Sequence, residues 1–148
     1  MMVAVGSDHA GFALKGDLAD WLRELNCQTL DCGTDSSAPV DYPDFAAAVA
    51  RAVAAGRAER GIIVCGSGAG AAIAANKVRG VRAALAHDTY TAHQCVEHDD
   101  ANVITVGSRV IGVELAHEII RAFVAARFTG EARHVRRLEK IKRLEDSF

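Results

Sequence analysis

Only two prolines occur among 148 residues, while alanine and valine are plentiful, which excludes a disordered or low-complexity chain. Cysteine is sparse as well. The four thiols, Cys27, Cys32, Cys65 and Cys95, form no CxxC pair, so neither a disulfide framework nor a structural zinc site is expected. No apolar run approaches the roughly eighteen residues of a membrane span, and the N-terminus has no basic region leading into a long apolar stretch; no membrane association is expected, and the default is a soluble cytoplasmic protein. Charge of either sign is also in short supply, with a net −2 and a pI near 6.3, so there is no electrostatic case for a nucleic-acid partner. What is abundant is core material. Half the residues are hydrophobic, enough for one complete domain spanning 1–148.

The chemistry concentrates in Gly61–Asn76, which reads GIIVCGSGAGAAIAAN. Ile62, Ile63 and Val64 lack polar alternation, the pattern of a strand covered on both faces in a parallel sheet. Gly66, Gly68 and Gly70 then allow a tight turn, and Ala71–Ala75 favour helix. Strand, turn and helix start together present unpaired amides to an anion or to a developing oxyanion, with Gly66, Ser67, Gly68, Ala69 and Gly70 as the candidate hole. Cys65 stands at the mouth of that turn, where a helix N-terminus favours a thiolate. It reads equally well as a small buried hydrophobe ending a strand.

Around this stretch the pattern alternates. Strands are expected at Met2–Gly6, Cys27–Leu30, 61–65, Val81–Ala86 and Val103–Val106, and helices at Phe12–Leu25, Phe45–Gly56, from 71 to about 76, Thr89–Val96, Val110–Phe128 and Glu131–Leu144. Five strands alternating with helices predict an α/β fold, a three-layer α/β/α sandwich with a five-stranded parallel, Rossmann-like sheet and a C-terminal helix. The expected strand order begins 2-1-3, with the site at the switch between strands 1 and 3. Asp8 and His9 follow strand 1 at the edge where such sheets bind ligands, although Ser7 or Asp8 could simply cap the next helix. Asp31–Asp44 reads as a loop, with Tyr42 its best pocket-lining residue. Arg133 and Arg137 lie four apart on one helix face.

Two other assignments compete. Gly66, Gly68 and Ala71 satisfy G-x-G-x-x-A, with Asp88 about twenty residues on, as in a dinucleotide site; the motif follows the third strand, and too little chain remains for a second nucleotide-binding half. His93, His98, Asp99 and Asp100, joined by His9 or His87, could suggest a metal, but no ligand spacing is met and a solvated loop explains them.

Six motifs in order, GSDHAGF at 6–12, DYPDFA at 41–46, CGSGAG at 65–70, AANK at 74–77, GSRV at 107–110 and RHVRR at 133–137, resemble the ribose-5-phosphate isomerase type B / galactose-6-phosphate isomerase family across the whole chain. The resemblance implies aldose–ketose isomerisation of a sugar phosphate without metal or cofactor, through an enediolate, by homodimers or dimers of dimers with sites at the subunit interface. It implies Cys65 as the base, residues 66–70 as the enediolate hole, and Ser67 as a proton carrier between the oxygens. Asp8 and His98 match residues for sugar hydroxyls and ring opening. His9, Arg133 and Arg137 match phosphate ligands, with Arg109 contributing across the dimer. Ribose 5-phosphate is the first substrate implied. Asp99 stands where the family usually has asparagine, and an ionised carboxylate cannot donate to a sugar oxygen, which opens the substrate to a tetrose or hexose phosphate. An NAD-binding oxidoreductase and a non-catalytic sugar-phosphate binding module remain the readings from other classes.

Overall fold

A computed structural model describes residues 1–148. Three strands that are buried almost throughout and mostly apolar form the centre of the sheet: β1 (Met2–Ser7), β3 (Arg60–Cys65) and β5 (Val103–Gly107). The two shortest strands, QTLD in β2 (Gln28–Asp31) and AAL in β4 (Ala83–Leu85), take the edges, where short strands resist further pairing. All pairings are parallel and the order is β2-β1-β3-β5-β4. The outer edge of β4 is further covered by Asn76, whose amide exchanges both hydrogen bonds with the Ala83 backbone.

Helices cover both faces. Leu14, Leu18 and Leu22 of α1 (Phe12–Glu24), Ala92, Cys95 and Val96 of α4 (Thr89–Asp99) and Ile119, Ile120 and Phe123 of α5 (Val113–Ala125) pack one side against Val3, Val5, Ile62 and Val64. On the other side α2 (Tyr42–Ala54) and α3 (Ala69–Ala75) cover Ala4, Ile63, Cys65 and Val103. Ile62, Ile63 and Val64 are all but fully buried, each contributing about 1.5–3 kcal/mol by removal from water. The last helix, α6 (Ala132–Asp146), lies outside these layers, tied at one end by Arg79 to Asp146 and by the Gly80 amide to Glu145.

Several boundaries differ from the sequence expectation. Helix α2 starts at Tyr42, because Pro43 in the first turn is compatible with a helix start and its fixed φ suits one. Helix α4 runs on through Asp99, carried by the i,i+4 pairs His93–Glu97 and Gln94–His98, and stops where Asp100 adopts a left-handed conformation with φ 48°. Helix α5 is shorter than expected at both ends, starting only after Gly112.

Candidate active site

The register of β1 on β3 places Ser7 opposite Val64, so Asp8 and Cys65 leave the sheet side by side at its carboxyl edge. There a cleft of about 330 Å³ is lined by Asp8, Tyr42, Cys65, Gly66, Ser67, Gly70, Arg109 and Val110. A larger cavity of about 690 Å³ lies beneath α6 at the other edge, but apolar groups dominate its lining and no turn with several unpaired amides opens onto it.

The turn after β3 supplies the polar groups. Gly68 takes φ +85°, which lets the chain reverse into α3, and its amide donates to Cys65 Sγ at 3.1 Å. The Ala69 amide donates to Ser67 Oγ at 3.2 Å. Two members of the expected hole are therefore already engaged. The amides of Gly66, Ser67, Gly70 and Ala71 have no protein acceptor, so the available donors include Ala71, which sequence spacing did not single out. Tyr42 closes one wall. A Cβ at Gly70 would stand 2.5 Å from the Tyr42 Cζ, so only glycine lets the phenol sit against the turn.

Asp8 is buried and its Oδ1 accepts from the Gly11 amide at 3.1 Å, bracing the turn into α1, while Oδ2 has no protein partner. His9 Nδ1 accepts from the Val40 amide at 3.1 Å, so its proton rests on Nε2, a donor. The loop carrying Val40 is itself held by Lys15, a buried amine that donates to Asp31 at 3.0 Å and to the Thr34 carbonyl. Arg109 was expected from a partner subunit, yet its amide donates to the Gly66 carbonyl and its guanidinium lies over Gly66 of the same chain. The β5–α5 turn brings it there directly.

His98, Asp99, Arg133 and Arg137 are elsewhere. Helix α4 begins at the carboxyl edge and its 11 residues carry it about 16 Å to the amino edge, where Asn102 meets the start of β3. His98 Nδ1 lies 3.0 Å from the Gln94 amide nitrogen, which leaves Nε2 protonated; Gln94 is a partner that only the longer helix reveals. Asp99 points away from His98, into the cavity with Cys95 and Lys77. Burial, then the Asp99 charge, push the Cys95 thiol up to about 11. Arg133 and Arg137, both exposed, sit in the first turns of α6.

The competing assignments fare poorly. Asp88 is the N-cap of α4, its carboxylate accepting from the Thr91 amide and hydroxyl, and so faces its own helix and not a ribose. His9 and His98 lie at opposite edges, and nowhere do three or more His, Cys, Asp or Glu side chains converge as metal ligands would.

Comparison with known proteins agrees with this geometry. Residues 3–141 match the family model described as Ribose/Galactose Isomerase. Ribose-5-phosphate isomerase B of Escherichia coli strain K12 is 44% identical over 143 residues, covering 97% of this chain and 95% of that protein. D-erythrulose-4-phosphate isomerase of Pectobacterium atrosepticum is 43% identical, covering 88% of this chain and 86% of that protein. The type B ribose 5-phosphate isomerase structure from Trypanosoma cruzi superposes with a TM-score of 0.97 at 49% identity, covering 100% of both chains. With the family model matching residues 3–141 and relatives of more than 40% identity covering most of the chain, this protein belongs to the ribose/galactose isomerase family.

Proposed function

We propose that the cleft isomerises an open-chain aldose phosphate and its ketose through a cis-enediolate, with Cys65 as the base. Cys65 sulfur removes the proton at C2 and returns it at C1, while Ser67 carries the hydroxyl proton between the two oxygens. The enediolate bears its charge only in the intermediate and its flanking transition states, so amides fixed beforehand favour the reaction selectively. Gly66, Ser67, Gly70 and Ala71 supply those donors. The observation that carries this reading is the thiol of Cys65 beside a ring of unpaired amides. A mere binding module needs the amides but no base. No metal or nucleotide cofactor enters any step.

His9, through Nε2, and Arg109 reach the phosphate from the chain that holds Cys65. His98, Arg133 and Arg137 complete the site from a second copy, because one chain holds them at the opposite edge of its sheet. Exposed apolar side chains on elements at the carboxyl edge, Ile73, Tyr90 and Val110 at 65%, 66% and 56% exposure, suit such a contact. Asp8 and His98 assist ring opening, with Asp8 Oδ2 free for a sugar hydroxyl. Ribose 5-phosphate and ribulose 5-phosphate are the first substrates to test. A tetrose phosphate is the second reading, favoured by the Pectobacterium relative.

Dialysed protein incubated with four-, five- and six-carbon aldose phosphates, read for ketose, tests the reaction; conversion that required added NAD or metal would overturn it. Coexpressing a Cys65→Ala chain with an Arg133→Ala/Arg137→Ala chain tests the shared site. Random pairing then gives about a quarter of normal sites intact, from two parents that are each inactive. No recovery would place every ligand in one chain.

A further inference from the structure

Helix α6 is exposed along nearly its whole length, and His134 is its one buried residue, at 1% exposure. Both ring nitrogens are engaged. Nε2 accepts from Arg133 Nε at 3.0 Å, and Nδ1 lies 3.3 Å from the His98 carbonyl, to which it can only donate. The ring also meets the His98 imidazole edge-on, with centroids 4.1 Å apart. Only one protonation state satisfies this arrangement, the neutral Nδ1–H tautomer, because a proton on Nε2 would face the Arg133 N–H donor to donor. Burial, then the charges of His98 and Arg133, with Arg137 adding to them and Glu131 opposing, hold the His134 pKa below the ordinary imidazole value.

We propose that His134 is a positioning residue: its neutral imidazole, anchored on the His98 carbonyl at the end of α4, holds the Arg133 guanidinium in place for the phosphate. Arg133 needs such a hold. Its side chain is 55% exposed, and its other contact is with the equally exposed Glu131 at 3.1 Å. Without His134 the guanidinium would have only a solvent-screened partner to orient it. The His98 carbonyl belongs to the last turn of α4 and has no helical partner, so the same imidazole also satisfies a helix end. With both nitrogens occupied, His134 is not itself a phosphate ligand. The proposal rests on the reading of Arg133 as one.

Two isosteres separate the contacts. Glutamine places an acceptor near the position of Nε2, and asparagine a donor near that of Nδ1. For the full-length protein, His134→Ala is expected to raise KM for ribose 5-phosphate about tenfold, with a smaller change in kcat, and to weaken inhibition by inorganic phosphate by a similar factor. Conversion of phosphate-free ribose should stay within about twofold. His134→Gln should restore most of the KM and of the phosphate inhibition, and His134→Asn should not. Equal behaviour of Gln and Asn, or equal losses on ribose and its phosphate, would overturn the proposal in favour of simple packing. Should the variants fail to fold, nitrogen-15 NMR of the intact protein decides the matter: the Nδ1–H tautomer at neutral pH supports it, and an imidazolium or Nε2–H form overturns it. If Arg133→Ala leaves phosphate inhibition unchanged, the phosphate reading fails and takes this proposal with it. If Arg133→Ala weakens inhibition and His134→Ala does not, only the present proposal fails.

Discussion

Gly70→Ala should separate stability from activity. The substitution falls in the first turn of α3, where alanine is the better helix former by up to about 1 kcal/mol, so the folded state should be unharmed or raised in Tm by about 3 °C at most. The new methyl, however, would lie 2.5, 2.6 and 2.7 Å from Tyr42 Cζ, Cε2 and Oη. Ordinary carbon contacts are about 3.5–4 Å, so the phenol must retreat by roughly 1 Å or more. Tyr42 is exposed on its outer side and can swing, which relieves the clash without moving backbone. In a cleft of about 330 Å³ the retreat displaces a wall of the site, and a shift of about 1 Å in a positioned group can cost up to a hundredfold. Expected is a fall in kcat/KM of about ten- to a hundredfold with an unchanged or higher Tm. Steady-state kinetics and thermal melts on Gly70→Ala, Tyr42→Ala and the double variant form a cycle. In the Tyr42→Ala background the alanine should change kcat/KM by less than about twofold. An equal loss in both backgrounds would show that the added methyl obstructs the cleft by itself, without the phenol, and a Tm lowered by several degrees would show that the backbone, not the phenol, had moved.

Cys65→Ala should reduce turnover by several powers of ten, about what loss of a catalytic general base entails, whereas Cys95→Ala and Cys32→Ala should retain activity, because burial keeps both of those thiols protonated. Near-normal turnover of Cys65→Ala would move the base to a carboxylate. Arg133→Ala and Arg137→Ala should each remove a charge-assisted contact of about 1.5–3 kcal/mol from phosphorylated substrate and leave an unphosphorylated sugar little changed, with Arg143→Ala near neutral; equal effects on both sugars would make these arginines structural. Acid should destabilise the fold through His134: its folded pKa is depressed, so its contribution is present above the unfolded value of 6.5 and is lost as pH falls below it, when the unfolded chain binds the proton first. Urea midpoints of the native protein should therefore drop more between pH 7.5 and 5.5 than those of His134→Gln, and identical drops would count against a depressed pKa.

The sequence by itself determined the layer architecture, the central strands and the meeting of Asp8 and Cys65 at the carboxyl edge of the sheet. Each of these follows from short-range physics: Ile62–Val64 has the pattern of a doubly covered strand, glycines at 66 and 68 suit the reversal into α3, and parallel connection brings the ends of β1 and β3 together, placing Asp8 beside Cys65. Tertiary structure decided the rest. The polar run from Glu97 to Asn102 has loop composition, and only the pairs Gln94–His98 and His93–Glu97, formed once α4 is packed, extend the helix to Asp99 and carry His98 to the far edge of the sheet. Which amides in the 66–71 turn are free depends on where the Cys65 sulfur and the Ser67 hydroxyl point, and periodicity carries no record of that. The tautomer of His9 is set by the amide of Val40, thirty-one residues away, in a loop held down by buried Lys15. Long-range contacts of this kind are properties of the packed chain, which is why motifs singled out candidate residues while only the fold showed which of their polar groups are left without a partner.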